Sequence, residues 1–211
     1  MTNSIAGLGN QMSGELMFKL KEASLNLRKK CVTISSINKI PHLGSCLSCV
    51  DILTVLYWDS MNINPEKPTD EDRDRFLLSK GHGSPIYLQA LAHKGFFSES
   101  ELTLFGKDGS YFHEHPPKPG YINGVEAATG SLGHGFSMGL GMAKAAKIQC
   151  KNYKVYVLLG DGECNEGIIW ECAMLAPKMD VGNLIGIVDY NKLQATGRSQ
   201  QIMSIEPLND K

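Results

Sequence analysis

The hydrophobic positions of the first half of the chain recur at helical spacing. Between Glu15 and Ile34, apolar and small residues return every three or four positions, with basic residues between them, which predicts an amphipathic helix. A second helix is predicted from about Ser48 to Met61, and a third from Ser84 to about His93. The sequence SESE at 98–101 fits a capping box that opens another short helix.

Short apolar runs of strand length alternate with helical patterns in the remainder. The runs lie at 76–79, 155–159 and 184–190. Helices are predicted from Gly135 to about Cys150, where small residues let another backbone come close, and from about Glu166 to Leu175. Strands that alternate with helices are typical of βαβ units. The pattern therefore predicts an α/β fold, with a mostly parallel sheet, helices on both faces, and polar coil after 190.

The region at 106–124 is too rich in glycine and proline to form a regular element. A second polar loop, at 62–75, is interrupted by prolines. Irregular segments as long as the first are uncommon inside compact domains and usually carry function. We therefore expect residues of the 106–124 loop to contribute to a binding site.

Composition limits the classes of partner. The chain has 211 residues, of which 42% are hydrophobic, and its formal net charge is −1, so residues 1–211 can form one domain with a substantial core. Scattered basic residues indicate no nucleic-acid surface. No apolar run is long enough to cross a membrane, and the first 14 residues lack the pattern of a secretory leader, so a cytoplasmic protein is predicted.

The six cysteines indicate small core residues in a reducing compartment, with Cys31, Cys150 and Cys172 all inside apolar segments. Cys46 and Cys49 form one suggestive pair. A zinc site at this pair would need two further soft ligands at similar spacing, which the sequence does not offer.

One acidic residue follows the second apolar run at a place where a turn needs none. Asp161 lies between Gly160 and Gly162, and Asn191 follows the next apolar run in the same way. Ligands of parallel sheets bind beyond the carboxyl ends of strands, and glycines there let backbone N–H groups approach a phosphate. The carboxylate alone would repel a phosphate, whereas Mg²⁺ held by Asp161 and Asn191 would attract it. The alternative is a simple Asp-Gly turn.

Several ordered motifs extend this pattern. Gly-Asp-Gly followed about thirty residues later by Asn is shared by thiamine diphosphate enzymes. Upstream lie IPHLG at 40–44, RFLLSKGHGS at 75–84, HP at 115–116 and GVEAATGSLG at 124–133. Together these motifs resemble the first third of transketolase, over a stretch from about Gly14 to the last residue.

The resemblance implies the diphosphate-binding domain of the thiamine diphosphate-binding fold. It further implies transfer of a two-carbon ketol unit from a ketose phosphate to an aldose phosphate, a reaction of the pentose phosphate pathway. The implied cofactors are thiamine diphosphate and Mg²⁺, for which Ca²⁺ or Mn²⁺ can substitute.

The resemblance also implies a catalytic role for three histidines, His42, His82 and His115, which would line the pocket where the ketose meets the cofactor. His82 and His115 would contact or protonate sugar oxygens, and His42 would hold a donor hydroxyl. Imidazole suits this work because its pKa lies near neutral pH. The role of His113 is open, and His93 is expected to be a surface or core residue.

Cofactor and metal ligands follow from the same motifs. The implied cofactor-binding residues are His82, Gly130, Leu132, Gly162 and Asn191. The implied magnesium ligands are Asp161, Asn191 and the carbonyl of Leu193.

Two positions carry alternatives. Glu166 matches a family acid near the subunit interface, in the network that joins paired cofactor sites, and is predicted to be catalytic. The alternative is a first-turn glutamate that stabilises the helix dipole. His134 departs from the glutamine that is usual in the family, so its role is open.

In this family a separate domain binds the pyrimidine ring and supplies an essential glutamate, and we expect no such domain in this chain. It is most similar to the N-terminal subunit of a bacterial split transketolase. We therefore expect activity only with a pyrimidine-domain (C-terminal) subunit, in a homodimer or heterotetramer. The diphosphate domain of the family normally continues beyond the equivalent of Lys211, so the chain is expected to be C-terminally incomplete, through truncation or as a natural fragment.

Two alternative functions remain at this point. The chain could be a non-catalytic fragment that binds a cofactor or a partner. It could also belong to another thiamine diphosphate enzyme such as deoxyxylulose-phosphate synthase, which shares Gly-Asp-Gly but fits the HP and GVEAATGSLG motifs less well.

Overall fold

A three-stranded parallel sheet forms the centre of the protein in a computed structural model that describes residues 13–211. The strands are β1 (Arg75–Leu78), β2 (Val155–Gly160) and β3 (Leu184–Asp189), in the spatial order β1-β2-β3. All pairings are parallel, with Val155 of β2 opposite Arg75 and Leu184. The carboxyl ends of the three strands therefore meet at one edge of the sheet. The prediction about a leader rests mainly on residues 1–12, which lie outside the described residues.

Seven α-helices are described. They are α1 (Gly14–Asn38), α2 (Leu43–Ser48), α3 (Val50–Val55), α4 (Ser84–Lys94), α5 (His134–Ile148), α6 (Gly167–Lys178) and α7 (Ser199–Ile202). A π-helical segment, Leu56–Ser60, continues α3, and 3₁₀ turns lie at Gly81–Gly83, Glu99–Leu104, Gly162–Asn165 and Leu208–Asp210. The capping box predicted at Ser98 and Glu101 is present.

Helices cover both faces of the sheet, as the sequence predicted. Phe76 and Leu78 of β1, with Tyr156 and Leu158 of β2, join the apolar core formed with α1, α3 and α4. The alternate residues of the same strands, among them Leu77, pack in a second core with α5 and α6. Successive side chains of a strand point to opposite faces of the sheet. These strands are apolar at every position because both faces are buried.

Glycines let α5 lie close to the sheet. A Cβ atom at Gly135 would lie 2.6 Å from the Cα of Ser79, and one at Gly139 would lie 2.5 Å from Cγ2 of Val157. By contrast, a Cβ atom added at Gly141 would have no neighbour within 4 Å. The small residues on the buried side of α5 therefore serve the close backbone approach that the sequence suggested, and this packing fixes the segment that precedes α5.

The helix predicted from about Ser48 to Met61 is confirmed as α3 and the π-helical segment, which together span 50–60. The preceding helix α2, which ends before Cys49 with its φ of −103° and ψ of 8°, was not predicted. Two local predictions were wrong. The coil predicted after 190 contains an antiparallel hairpin, β4 (Leu193–Gln194) and β5 (Gly197–Arg198), followed by α7. Cys150 is exposed rather than buried, because it lies after the end of α5; the other five cysteines are buried, and all six are free.

Among the described helices, none combines the length and the apolar character needed to span a bilayer.

Candidate active site

The ends of neighbouring strands bring the predicted cation ligands together. Gly160 pairs with Asp189 across β2 and β3, so Asp161 and Asn191 follow adjacent positions of the two strands. The backbone N–H groups of both residues donate to the carbonyl of Asp189, over 3.3 and 3.0 Å. The prediction that these two residues meet at one sheet edge is therefore confirmed in the fold.

Asp161 is 1% exposed and is held by a residue from α7. The hydroxyl of Ser199 donates to its Oδ2 over 2.7 Å, while no described residue donates a hydrogen bond to Oδ1. The backbone N–H of Ser199 in turn donates to the carbonyl of Lys192 over 3.1 Å. The hairpin and α7 therefore orient this carboxylate and leave one of its oxygens available.

The side chain of Asn191 forms an Asx turn into the hairpin. Its Oδ1 accepts a 2.9 Å hydrogen bond from the backbone N–H of Leu193, and its Nδ2 donates to the hydroxyl of Ser48 over 3.3 Å. Lys192, between them, adopts φ = 66°. The amide oxygen of Asn191 keeps one lone pair, and Leu193 lies directly beyond it in β4 with an exposed side chain.

Glu163 joins the loops around this edge. Its side chain is 2% exposed overall, its Oε1 accepts from the backbone N–H of Gly133 over 2.7 Å and from the hydroxyl of Ser79, and its Oε2 accepts from the N–H of Gly160 over 2.9 Å. One buried carboxylate therefore connects the end of β1, the loop before α5 and the end of β2.

A buried ion pair connects β1 to β3. Lys80, 1% exposed, lies 2.6 Å from Oδ2 of Asp189 and also donates to the carbonyl of Ser45 over 3.0 Å. Ser48 donates to the same carboxylate oxygen over 2.5 Å. Through Ser48, this network reaches the side chain of Asn191 and ties α2 to the strand ends.

The three predicted histidines surround the same edge. The rings of His42 and His82 lie 5.4 Å apart between centroids, at an interplanar angle of 54°. His42 precedes α2 with φ = 65°, a left-handed conformation that is costly outside glycine. The ring of His115 packs on Gly130, where a Cβ atom would lie 2.9 Å from Cδ2. The irregular loop therefore brings a histidine to the site, as predicted.

Burial lowers the pKa of His82 to about 4, and the positive charge of Lys80 and the nearby rings of His42 and His115 add to the effect. Asp189 opposes this shift. The imidazole of His82 is therefore neutral at physiological pH, with one nitrogen that can donate and one that can accept.

Close backbone contacts set the position of the 130–133 loop. A Cβ atom at Gly81 would lie 2.8 Å from the backbone nitrogen of Gly130, which has φ = 154°. Thr129 anchors the loop by donating to the carbonyl of Leu78 over 2.6 Å. Gly130 and the following Leu132 are thereby held against the His82 turn.

The other predicted positions lie at the edge of the site. Glu166 is exposed and directly precedes α6. It lies next to Gly133, because a Cβ atom added at Gly133 would lie 3.4 Å from the Cβ of Glu166. His134 is exposed at the start of α5. The backbone carbonyl of His113 accepts a 3.0 Å hydrogen bond from Ser84, and its side chain is exposed. None of these three contacts the His42–His82 pair among the described hydrogen bonds and ring contacts.

Five residues of the site were not singled out from the sequence: Ser48, Lys80, Glu163, Asp189 and Ser199. Two of them carried a usable signal. Lys80 and Asp189 are charged residues directly at the ends of apolar runs, the same signal that identified Asp161. The others depend on contacts between residues 30 to 143 positions apart, which a local pattern does not reveal.

Over residues 13–211, no three His, Cys, Asp or Glu side chains are arranged as a metal centre. Cys46 and Cys49 therefore lack the further ligands of a zinc site there. The arrangement at the sheet edge offers instead one carboxylate, one amide oxygen and backbone carbonyls, a set that suits a magnesium ion whose remaining ligands come from phosphate and water.

Comparison with known proteins identifies the family. The family model described as "Transketolase, thiamine diphosphate binding domain" matches residues 24–209. The chain belongs to the transketolase family. Its α/β architecture is that of the thiamine diphosphate-binding domain of transketolases.

Two of the similar relatives are named as single subunits of a transketolase. The chain is 44% identical over 184 residues to a subunit of the apulose-4-phosphate transketolase of Phocaeicola vulgatus, a match that covers 87% of the chain and 65% of that relative. It is 39% identical over 194 residues to the corresponding subunit from Actinobacillus succinogenes, covering 92% of the chain and 70% of the relative. The chain thus spans about two thirds of the length of these relatives.

A solved transketolase supports the fold. The enzyme from Campylobacter jejuni superposes with a TM-score of 0.83 at 31% identity, over 92% of this chain and 31% of that chain. The transketolase fold therefore extends over nearly all of the described chain.

Proposed function

We propose that residues 1–211 form one diphosphate-binding domain of a transketolase. The proposed reaction transfers a two-carbon ketol unit from a ketose phosphate to an aldose phosphate, with thiamine diphosphate and Mg²⁺. The observation that carries the proposal is the convergence of His42, His82 and His115 on the sheet edge that also holds Asp161 and Asn191.

Magnesium would bind Asp161, Asn191 and the carbonyl of Leu193. The fit rests on Asp161, which is buried with one oxygen that no described side chain uses, and on the remaining lone pair of Asn191. A buried carboxylate without a full set of partners is costly, and a hard cation compensates for that cost. Ca²⁺ or Mn²⁺ would substitute, because both accept oxygen ligands.

The diphosphate would lie beside the turn at Gly162, with Gly130 and Leu132 contacting the cofactor from the opposite loop. Gly162 begins a 3₁₀ turn whose backbone N–H groups would face the anion, while the side chain of Gln194 packs against the glycine where a Cβ atom would lie. The cation between Asp161 and the phosphate oxygens removes the repulsion that the carboxylate alone would cause.

When bound, thiamine diphosphate supplies the carbon-centred nucleophile for cleaving the C2–C3 bond of the ketose and for carrying the two-carbon unit to the aldose. His82 is neutral and would donate a hydrogen bond to, or accept a proton from, a sugar hydroxyl. His115 would act on the oxygens from the loop side, and His42 would hold a donor hydroxyl. Glu166, near the subunit interface, would belong to the network that joins the paired cofactor sites.

A second chain, carrying the pyrimidine-binding domain, is part of the proposal. Relatives that are named as single subunits of a transketolase indicate that enzymes of this type are assembled from separate chains. The pyrimidine ring would be bound by a pyrimidine-domain subunit, in a homodimeric or heterotetrameric arrangement located in the cytoplasm. The chain alone would bind the diphosphate end of the cofactor and catalyse no ketol transfer.

The test combines the purified chain with a pyrimidine-domain subunit of a split transketolase, thiamine diphosphate, Mg²⁺, and a panel of ketose and aldose phosphates. Ketol transfer is expected from the mixture and not from either subunit. Transfer by the chain alone would refute the requirement for a partner, and cofactor binding without transfer by any combination would favour the non-catalytic alternative.

A matched pair of variants tests the metal site. Asp161→Asn removes the proposed cation ligand and is expected to weaken Mg²⁺-dependent cofactor binding by about a hundredfold, since a charged ligand is lost. Asp180→Asn is the control, because Asp180 is exposed and pairs only with Lys147 in the described structure. Equal Mg²⁺ dependence in both variants would contradict the proposed metal site.

A further inference from the structure

The hairpin β4–β5 places the side chain of Gln194 directly over Gly162. A Cβ atom added to Gly162 would lie 2.7 Å from Cγ, 2.9 Å from Cδ and 3.3 Å from Nε2 of Gln194. Real Cβ atoms do not approach other atoms so closely, so the glycine leaves the space that the Gln194 amide fills. The amide group therefore lies beside the turn that follows Asp161.

The amide nitrogen of Gln194 is buried and finds no hydrogen-bond partner within residues 13–211. Only two other buried side-chain atoms of the described chain share this property, the hydroxyl of Ser35 and Oδ1 of Asn183. A buried donor without an acceptor destabilises the folded state. The position therefore calls for an acceptor that the described residues do not supply.

Neither Asp161 nor Asn191 accepts a hydrogen bond from this amide in the described structure. Oδ2 of Asp161 accepts from Ser199, Oδ1 of Asn191 accepts from the backbone of Leu193, and the lone pairs that these two side chains keep are those proposed for the cation. An amide nitrogen is a donor only, so its missing partner carries lone pairs. Next to glycine N–H groups and a cation site, that partner is best matched by an anionic oxygen.

We propose that Gln194 is a cofactor-positioning residue whose Nε2 donates a hydrogen bond to an oxygen of the bound diphosphate. This inference rests on the proposed function, because it assigns a further contact within the same site. Gln194 and the backbone of Gly162 would then hold the diphosphate from the hairpin side, while Asp161 acts through the cation.

Packing alone does not require a glutamine at this position. A methionine has the same length, fills similar space over Gly162 and carries no donor that must be paired. If Gln194 served only to cover the glycine, replacing its amide by a thioether would remove the unpaired donor and leave anion binding unchanged.

The experiment measures the affinity of the full chain for inorganic pyrophosphate and for thiamine diphosphate by isothermal titration calorimetry in excess Mg²⁺. The variants are Gln194→Met, which removes the donor, and Gln194→Glu, which places a carboxylate against the phosphate. The control is Gln149→Met, because Gln149 is exposed at the far end of α5. Binding of Mn²⁺ without phosphate, followed by electron paramagnetic resonance, and the melting temperature of the unliganded proteins complete the set.

For Gln194→Met we expect about tenfold weaker binding of both ligands, since a hydrogen bond to a charged group is lost. Gln194→Glu is expected to bind at least a further tenfold more weakly because of charge repulsion. The Mn²⁺ affinity of Gln194→Met and the behaviour of Gln149→Met should stay at wild-type values, and the melting temperature of unliganded Gln194→Met should be no lower than that of the wild type, because an unpaired donor is removed. An equal loss for pyrophosphate and thiamine diphosphate would locate the contact at the diphosphate.

Three results would overturn the inference in different ways. Wild-type affinity in Gln194→Met would refute the contact and leave the proposed function intact. A parallel loss of Mn²⁺ affinity or of melting temperature would mean that the hairpin had moved, and would count against a direct contact. A wild-type chain that binds neither pyrophosphate nor thiamine diphosphate would refute the proposed function, and the inference with it.

Discussion

Replacing Glu163 by Gln is expected to destabilise the fold by about 3 kcal/mol, although the two side chains have nearly the same shape. The carboxylate accepts from the hydroxyl of Ser79 and from the backbone N–H groups of Gly133 and Gly160. An amide can keep its oxygen toward Ser79 and Gly133, but its NH₂ group then faces the N–H of Gly160. One buried donor loses its acceptor, and the other two bonds lose the help of the negative charge.

The magnitude follows from those contacts. An unsatisfied buried N–H costs about 1–3 kcal/mol, and bonds to a charged acceptor contribute about 1.5–3 kcal/mol against about 1 kcal/mol for neutral ones. A loss of about 3 kcal/mol, with a urea m-value of about 2 kcal/mol/M, lowers the unfolding midpoint by about 1.5 M. Binding of thiamine diphosphate should weaken as well, because Glu163 holds the loops that carry Gly130 and Asp161.

The assay is urea unfolding followed by circular dichroism and by tryptophan fluorescence. The matched control is Glu171→Gln in α6, whose side chain is exposed, and which should change stability by less than about 0.5 kcal/mol. A midpoint shift in Glu163→Gln no larger than that of the control would refute the reasoning that this carboxylate joins the three loops.

Three further predictions address packing and charge. Gly135→Ala is expected to lower the free energy of unfolding by at least about 2 kcal/mol in chemical unfolding, because its Cβ would lie 2.6 Å from the backbone of Ser79 at the end of β1. Its control, Gly141→Ala, has nothing within 4 Å of the added Cβ and should stabilise the fold by about 0.5–1 kcal/mol. A similar result for both variants would contradict the close approach of α5 to the sheet. Lys80→Met should destabilise the fold by about 3–5 kcal/mol, because Asp189 is then buried without its partner. The further change Asp189→Asn should recover part of this loss, and a double variant as unstable as Lys80→Met would argue against the ion pair. In NMR spectra the ring protons of His82 should titrate with a pKa near 4. Because the same imidazole in the unfolded chain binds a proton near pH 6.5, the stability of the fold should fall as the pH is lowered from 6.5 to 4. An ordinary pKa for His82 would contradict the burial of this ring.

The sequence predicted the layered fold because its patterns are local. Runs such as 155–159, apolar at every position, indicate strands buried on both faces, and the intervening helices make a parallel sheet the simplest arrangement. It also predicted that Asp161 and Asn191 meet, since each directly follows a strand and the carboxyl ends of adjacent parallel strands share one edge. The metal and cofactor roles of these residues remain proposals.

Element boundaries were less predictable. The separate helix α2 was not predicted from the apolar pattern, because it begins after His42, whose left-handed conformation only the surrounding contacts maintain. The hairpin after Asn191 was predicted as coil, since its strands have two residues each. Such short pairings depend on the turn and on the contacts of Ser199, rather than on propensity.

By itself, the sequence determined the strands, the main helices, the family motifs and the residues that we propose hold a cation and move protons. Only the tertiary structure decided how these residues are held: that Glu163 joins three loops, that Lys80 pairs with Asp189, that His82 has a lowered pKa, and that the Gln194 amide lies unpaired over Gly162. The physical reason is that propensity and hydrophobic pattern act between neighbours in the chain. Burial, charge pairing and unsatisfied hydrogen-bonding groups arise between residues that are distant in sequence and are fixed only when the chain has folded.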